Sequence, residues 1–283
     1  MPGRVVRIAG REAGKGCRLF LIAGPCVVED RETMQRTAGF LAELAAKLDI
    51  LCIFKASYRK ANRTSGASPS GPGIEAGLSE LARIARESGL PVTTDIHESN
   101  EAAPAAEVAE ILQIPAFLCR QTALIQAAAS TGRVVNIKKG QFMDPRLMTS
   151  AAEKARTGGA KRVLLTERGA FFGYGDLVVD FRSLAIMRRA GCPVVYDATH
   201  SVQAPGGAGQ SSGGHREFAE ILARSAVAAG ADGLFMEIHP DPSRALSDRE
   251  TMLSLEQAAR IIPPLLRLGD YIREEAAGGD KLA

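Results

Sequence analysis

The nine residues KASYRKANR, at positions 55–63, carry four cationic side chains just after the apolar run ILCIF at 50–54. These are Lys55, Arg59, Lys60 and Arg63. The positive charge therefore begins where a buried strand should end. Ammonium and guanidinium groups bind phosphate and carboxylate through charge-assisted hydrogen bonds. A solvated surface loop is the alternative interpretation, so the rest of the chain must decide between the two.

Eight short runs rich in β-branched residues alternate with amphipathic helical stretches. The runs span residues 18–24, 50–57, 91–97, 110–116, 133–140, 162–169, 192–200 and 232–239. Eight βα units with nearly continuous apolar strands predict a (β/α)₈ TIM barrel of the α/β class, because eight parallel strands can close on themselves. A doubly wound open sheet is the alternative fold.

No linker-like change in composition divides these units, so the sequence predicts one domain. We expect an N-terminal extension at 1–17 that caps the barrel, the barrel itself at 18–275, and a disordered tail at 276–283. The long connection SVQAPGGAGQSSGG, at 201–214, contains five glycines. It fits either a flexible surface loop or a lid over the mouth of the barrel.

Polar residues enter each apolar run at its C-terminal end. In chain order they include Cys26 and Glu29; Lys55 and Ser57; Asp95, His97 and Glu98; Gln113; Asn136, Lys138 and Lys139; Glu167 and Arg168; Asp197 and His200; Glu237 and His239. In a barrel these ends converge on one mouth, which is where active sites of this fold lie. Solvated strand ends would account for two or three such clusters, but not for eight.

The cations expected at this mouth indicate anionic ligands. They are Lys55, Lys60, Arg63, Lys138 and Arg168. Their mutual repulsion requires an anion to offset it, and phosphate and carboxylate are the usual ones. Five cations predict a site for more than one anionic group.

A second set of residues at the mouth indicates a metal. Cys26, His200, Glu237 and Asp248 would bring thiolate, imidazole and carboxylate together. This mixture suits a borderline divalent ion such as Zn²⁺, Fe²⁺ or Mn²⁺. Taken alone, Cys26 fits a packed small hydrophobe and His200 a hydrogen-bonded core histidine. Their joint placement after strands 1, 7 and 8 favours the metal.

Composition argues against several other classes. A net charge of +3, no Trp and only four Tyr argue against a nucleic-acid partner. No apolar run approaches the roughly 18 residues that cross a bilayer, and residues 1–17 lack a signal-peptide core, so we expect a cytoplasmic protein without membrane contact. The five cysteines form no CxxC pair, which predicts free thiols or metal ligands rather than a disulfide framework.

The chain resembles the 3-deoxy-D-manno-octulosonate 8-phosphate synthases, enzymes of lipopolysaccharide precursor synthesis. The matching stretches are IAGPCVVE, FKASYRKANRTS, TTDIHE, ILQIPAFLCRQT, NIKKGQF, TERGAFFGYGDLVVDFRSL, YDATHSVQ and HPDPSRALSD, between residues 22 and 248. That family condenses phosphoenolpyruvate with D-arabinose 5-phosphate and releases inorganic phosphate. Metal-free members have Asn where this chain has Cys26, so the chain resembles the metal-requiring class. The resemblance implies one divalent ion, Zn, Fe, Mn or Co.

A sister family supplies the alternative function, 3-deoxy-D-arabino-heptulosonate 7-phosphate synthesis from phosphoenolpyruvate and erythrose 4-phosphate. Its second-strand loop usually reads Lys-Pro-Arg-Thr-Ser and its seventh strand Asp-Pro-Ser-His. The corresponding segments here are KANRTS and DATHSVQ. This difference favours the eight-carbon synthase.

The resemblance also implies roles for individual residues. Phosphoenolpyruvate would be held by Lys55, Ser57, Lys60, Gln113, Lys138 and Arg168, and the sugar phosphate by Asn62, Arg63, Thr64 and Arg120. Proton transfer or orientation of a metal-bound water would fall to Asp95, His200 and Asp248, with Lys138 also catalytic. Arg59 is expected to be solvated. Arg120 matches a family arginine that reaches a neighbouring subunit, which implies a homotetramer; a surface arginine at a helix start is the alternative.

One segment departs from the family pattern. The loop GASPSGPG, at 66–73, has Ala67 and Ser70 where the family often has His and Arg, so contacts made there by other members are in doubt.

Two further functions stay open. A Schiff-base aldolase would use Lys138 as the nucleophile. A catalytically silent barrel that serves as a binding module should have lost its polar strand ends, and this sequence retains them.

Overall fold

The computed structural model describes residues 5–60, 70–172, 176–208 and 211–279. Its strands are β1 (Val5–Ile8), β2 (Arg11–Gly14), β3 (Phe20–Gly24), β4 (Cys52–Lys55), β5 (Val92–Asp95), β6 (Ile111–Ile114), β7 (Val134–Lys138), β8 (Val163–Glu167), β9 (Val194–Asp197), β10 (Gln203–Ala208), β11 (Ser211–Gly214), β12 (Gly233–His239) and β13 (Leu253–Ser254). Strands β3 to β9 pair in parallel with their neighbours, and β12 pairs with both β3 and β9. The sheet is therefore a closed eight-stranded barrel, and the doubly wound alternative is wrong.

Helices cover the outside of the barrel. They are α1 (Arg31–Leu48), α2 (Ile74–Ser88), α3 (Ala102–Val108), α4 (Thr122–Ser130), α5 (Met148–Thr157), α6 (Arg182–Arg188), α7 (Ala219–Ala228) and α8 (Leu255–Gly279). In α1 the Asp30 side chain caps the N-terminus by accepting the Thr33 N–H, and Asp49 ends the helix in the left-handed region. Its buried residues recur at spacings of three and four, so one face packs on the sheet.

The C-terminal helix is longer than the sequence predicted. Residues 276–279 belong to α8, whereas the sequence assigned them to a disordered tail. Ala276 and Ala277 have high helix propensity and let the last turns continue. Residues 280–283 lie outside the described residues, and the rest of the domain division stays a prediction.

The inside of the barrel is apolar at its N-terminal end. Interior side chains from the strands form one buried cluster with Val6, Ile8 and Ala13 of the β1–β2 hairpin. Arg162 Nη1 donates to the Arg7 carbonyl at 2.9 Å, which ties the hairpin to the barrel. Apolar packing thus fills the lower interior, and the charged residues collect at the C-terminal mouth.

The glycine-rich connection at 201–214 is more regular than its composition indicates. A short helical turn at His200–Val202 leads into β10 and β11, which pair antiparallel with Gln203 opposite Gly214. Strands pair through backbone hydrogen bonds, which do not require alternating apolar and polar side chains. Because this segment is rich in glycine, it lacks that alternation, and the sequence pattern did not predict the hairpin. Its action as a lid stays a prediction. Within the described part of the chain, no helix combines the length and hydropathy needed to span a membrane.

Candidate active site

One pocket lies at the C-terminal ends of the barrel strands. Its lining consists of Cys26, Lys55, Ser57, Arg59, Lys60, Asp95, His97, Pro115, Ala116, Phe117, Lys138, Arg168, His200, Glu237 and Asp248. Most of the residues predicted from the strand-end pattern therefore meet in one place. Closure of the barrel brings β12 beside β3, which places residues separated by more than two hundred positions in contact.

Most cations of the pocket are paired with carboxylates of the protein itself. Lys55 Nζ lies 3.0 Å from Glu237 Oε1, Lys60 Nζ lies 2.6 Å from Asp248 Oδ2, and Lys138 Nζ lies 2.7 Å from Asp197 Oδ2. The repulsion inferred from the sequence is therefore offset internally. Burial alone would lower the pKa of Lys55, but Glu237 and its other acidic neighbours outweigh burial and hold that pKa above its ordinary value.

Arg168 differs from these lysines because its hydrogen bonds go to uncharged groups. Its Nη2 donates to the His200 carbonyl at 3.0 Å and to Gln203 Oε1 at 2.8 Å. Its Nε is buried and, among the described residues, has no acceptor. A buried guanidinium with a free donor is suited to an anionic ligand.

His200 is oriented by Asp197. His200 Nδ1 lies 2.8 Å from Asp197 Oδ2, and the His200 backbone N–H donates to Asp197 Oδ1 at 2.9 Å. Burial alone would raise the pKa of Asp197, but the charges of His200 and Lys138 outweigh burial and hold it well below its ordinary value. With Nδ1 donating to this carboxylate, Nε2 is the nitrogen that faces Glu237 and Asp248.

The four predicted metal ligands lie together. Cys26 Sγ and one carboxylate oxygen each of Glu237 and Asp248 are within 4.8 Å of one another. His200 Nε2 lies 3.4 Å from Glu237 Oε1 and 3.9 Å from Asp248 Oδ2. Their donor types match those of borderline divalent ions.

Two further features of this cluster fit a metal ion. Glu237 Oε2 is buried and has no hydrogen-bond partner within the described residues, so it is a free anionic ligand atom. Burial and the charge of Glu237 raise the pKa of the Cys26 thiol well above its ordinary value, and Sγ donates to Asp248 Oδ2 at 3.1 Å. A bound cation would reverse this effect, because metals bind cysteine as the thiolate.

Comparison with known proteins identifies the family. The model of the DAHP synthetase I family matches residues 5–272. The 2-dehydro-3-deoxyphosphooctonate aldolase of Synechococcus sp. is 54% identical over 92% of both chains. The proteins of that name from Nitratidesulfovibrio vulgaris (strain Hildenborough) and Desulfotalea psychrophila are 56% identical over 89% of this chain and 92% of the relative, and 52% identical over 92% and 93%. The chain belongs to the DAHP synthetase I family, among its 2-dehydro-3-deoxyphosphooctonate aldolases.

Within this family assignment, two predicted phosphoenolpyruvate residues lie at different depths. Ser57 lines the pocket and donates its hydroxyl to Asp95 Oδ2. Gln113 is buried beneath it, where Nε2 donates to Asp95 Oδ1 at 2.7 Å and Oε1 accepts from Asn136 Nδ2 at 2.9 Å. Gln113 is not among the described residues that line the pocket, so its contact in the structure is with Asp95 rather than with the open space.

Of the residues predicted to hold the sugar phosphate, the structure describes only Arg120, which is not among the residues that line this pocket. Asn62, Arg63 and Thr64 lie outside the described residues, as do residues 66–69 of the unusual loop at 66–73. Arg120 is exposed and borders a separate surface cavity with Cys119, Met143, Leu147 and Lys154. Its position leaves both earlier interpretations open, a contact to a neighbouring subunit and a surface arginine.

Arg59 was predicted to be solvated, and its side chain is 37% exposed, but it also forms an ion pair that the sequence did not predict. Its Nη2 lies 2.7 Å from Glu101 Oε1. The other oxygen of Glu101 accepts from the Tyr58 hydroxyl and the His97 N–H, both at 2.6 Å. Glu101 thus joins the loop after β4 to the loop after β5. The stretch HESNE, at 97–101, could have indicated that Glu101 bonds to the backbone, because Glu101 stands three residues after Glu98 in a helix capping box.

Proposed function

We propose that the chain condenses phosphoenolpyruvate with D-arabinose 5-phosphate and water to give 3-deoxy-D-manno-octulosonate 8-phosphate and inorganic phosphate. It is thus an enzyme that forms a carbon–carbon bond. The observation that carries the proposal is one barrel mouth that combines buried cations with a thiol, imidazole and carboxylate cluster. The names of the relatives agree with this reaction, whereas only the family description points to the seven-carbon synthesis.

Phosphoenolpyruvate carries a carboxylate and a phosphate, and the pocket offers cations for both. We assign Lys55, Lys60, Lys138 and Arg168 to these groups, with Ser57 as a hydrogen-bond donor. Among the described residues, Arg168 is hydrogen-bonded to neutral groups, so its positive charge has no directly paired carboxylate there. Gln113 is assigned a positioning role through Asp95. Asn62, Arg63, Thr64 and, from a neighbouring subunit, Arg120 would hold the sugar phosphate.

We further propose that Cys26, His200, Glu237 and Asp248 hold one divalent ion, with Zn, Fe, Mn and Co as candidates. The ion would supply Lewis-acid polarisation of the aldehyde or activation of the attacking water. The orphaned Glu237 Oε2 and the mixed donor set support this assignment. A divalent charge also offsets Glu237 and Asp248, the carboxylates to which Lys55 and Lys60 are bonded.

The reaction requires C3 of the enol to attack the aldehyde carbon while water adds to C2, after which the phosphate leaves. Lys138 lies between Asp197 and the face of Phe235, with Nζ 3.8 Å from the ring centroid. We assign its ammonium to stabilising charge that develops on the substrate beside this buried side chain. Asp95, His200 and Asp248 are the candidates for proton transfer, since each lines the pocket.

The homotetramer, which the resemblance implies, and the cytoplasmic location, which the sequence pattern led us to expect, both remain proposals. The exposed position of Arg120 is compatible with a contact between subunits. Phosphorylated sugars and enols are the partners that the reaction requires.

Release of inorganic phosphate tests the function. Purified enzyme with phosphoenolpyruvate should show a kcat/KM for arabinose 5-phosphate at least about tenfold above that for erythrose 4-phosphate, a difference of about 1.4 kcal/mol. Phosphoenolpyruvate alone is the control for simple hydrolysis, and mass spectrometry should identify an eight-carbon product. Equal or reversed preference would transfer the assignment to the seven-carbon synthase.

A further inference from the structure

Glu29 and His239 form a buried pair that the proposed chemistry does not use. His239 Nε2 lies 3.3 Å from Glu29 Oε2, and the side chains are 4% and 5% exposed. Neither residue is among the described residues that line the pocket. Burying a carboxylate costs free energy unless its oxygens accept hydrogen bonds. The contacts of Glu29 should therefore show what the buried pair contributes.

The hydrogen bonds of the pair have a defined direction. His239 Nδ1 accepts the backbone N–H of Asp241 at 2.9 Å, so the imidazole proton is on Nε2 and is donated to Glu29 Oε2. The other oxygen, Glu29 Oε1, accepts the backbone N–H of Leu246 at 3.1 Å. Both oxygens of one carboxylate are therefore used, each by a different part of the chain.

These contacts connect the segments that carry three of the proposed metal ligands. Glu29 is three residues after Cys26, His239 is two residues after Glu237, and Leu246 is two residues before Asp248. The loops after β3 and β12 otherwise share a small buried apolar cluster of Cys26, Val27, Ala245 and Met252. One carboxylate thus bonds to residues close in sequence to Glu237 and Asp248, and is itself close in sequence to Cys26.

The backbone at Asp248 also requires outside support. Its φ is 51°, in the left-handed region that a non-glycine residue occupies at a cost. Such a conformation persists where neighbouring contacts fix it. The Glu29–Leu246 hydrogen bond fixes the chain two residues upstream, and the Thr251 N–H fixes it downstream by donating to the Asp248 carbonyl at 3.1 Å.

We propose that Glu29, acting through His239 and Leu246, is a positioning residue that holds Cys26, Glu237 and Asp248 at metal-binding spacing. This inference rests on the proposed metal site, and it adds residues that orient the metal ligands without binding the metal themselves. Partners of this kind orient metal ligands, and their loss typically lowers metal affinity by about 10- to 100-fold.

The test measures metal binding rather than turnover. Metal-stripped wild type and Glu29→Gln are titrated with Cd²⁺, and the thiolate-to-metal absorption band gives the dissociation constant. Gln is isosteric but has one acceptor oxygen for two donors, so one of the two contacts must fail. We expect Glu29→Gln to bind Cd²⁺ about 10- to 100-fold more weakly. At saturating metal its kcat should return close to the wild-type value.

Asp232→Asn is the control for the loss of a buried carboxylate charge. Asp232 is 7% exposed, and its Oδ2 accepts from Arg188 Nη2 at 3.3 Å and from the Val194 N–H at 2.8 Å. It precedes β12, at the N-terminal end of the barrel and away from the ligands. Its substitution should lower the melting temperature and leave the Cd²⁺ affinity unchanged.

Each result decides the proposal. Unchanged affinity in Glu29→Gln, or an equal loss in Asp232→Asn, overturns the positioning role while leaving the metal site intact. Failure of the wild type to bind Cd²⁺ refutes the metal site itself and the inference with it. If Glu29→Gln does not fold, His239→Asn removes only one of the contacts and is titrated instead. If both variants unfold, the pair supports folding rather than the metal, and the proposal is wrong.

Discussion

Replacing Lys138 by Ala tests the proposed reaction site most directly. Lys138 Nζ lies 2.7 Å from Asp197 Oδ2, in a pair whose side chains are 7% and 0% exposed. Removing one partner of a buried ion pair costs about 3–5 kcal/mol, because the remaining charge stays buried. Asp197 keeps its contacts with the ring and the backbone N–H of His200, so we expect a destabilisation of about 3 kcal/mol.

The effect on catalysis should be separable from the effect on stability. For a chain of this size, about 3 kcal/mol lowers the melting temperature by about 6–12 °C, which leaves the variant folded at 25 °C. Loss of one electrostatic contact to the transition state in a dry site costs about 10²- to 10³-fold in kcat. Initial rates of phosphate release at saturating substrates measure kcat, and a thermal melt of the same sample measures stability.

Lys139 provides the matched control. It directly follows the last residue of β7 and is also buried, with Nζ 3.3 Å from Glu167 Oε1 and 3.0 Å from the Gly169 carbonyl. Lys139 is not among the described residues that line the pocket of Lys138. Lys139→Ala should therefore lower the melting temperature similarly while keeping kcat within about tenfold of wild type.

Two results would refute this reasoning. A folded Lys138→Ala variant with kcat within about tenfold of wild type would remove Lys138 from the transition state. Equal losses of kcat in the Lys138 and Lys139 variants would mean that stability alone explains the effect. Borohydride reduction in the presence of substrates adds a separate check, since a covalent adduct at Lys138 would support the Schiff-base aldolase instead.

Three further predictions concern the metal and the loop contacts. Dipicolinate should abolish turnover, and added Mn²⁺, Co²⁺ or Zn²⁺ should restore it to different extents; full activity in a protein free of metal by elemental analysis would exclude the metal site. Cys26→Ala should bind Cd²⁺ more than about 100-fold more weakly than wild type, whereas Cys26→Asn, which copies the metal-free class, should retain some turnover in chelator. Burial alone would raise the pKa of Glu101, but hydrogen bonds from Tyr58 and His97 hold this pKa below its ordinary value. The ionised Glu101 carboxylate therefore stabilises the fold above about pH 4.3, and this stabilisation is lost as the pH falls further. The difference in urea unfolding free energy between wild type and Glu101→Gln should be constant near neutral pH and shrink below about pH 4; a difference that grows in acid would contradict the assignment.

The sequence by itself determined the barrel and the location of its candidate site. Eight apolar runs with polar C-terminal ends are a local pattern, because strand length, burial and the entry of polarity depend on neighbouring residues. Once the strand number predicts closure, the ends of the first and last strands must be adjacent. That is why Cys26 and Glu237 could be assigned to one site although they are far apart in the chain.

Only the tertiary structure decided which groups pair within that site. The sequence counted cations at the mouth and inferred an anionic ligand, yet Lys55 and Lys138 already face Glu237 and Asp197. The Arg59–Glu101 and Glu29–Leu246 contacts were likewise not predicted. Strand periodicity tells which way a side chain points, but its partner across the barrel depends on register, closure and loop path, which are set by packing of the whole chain.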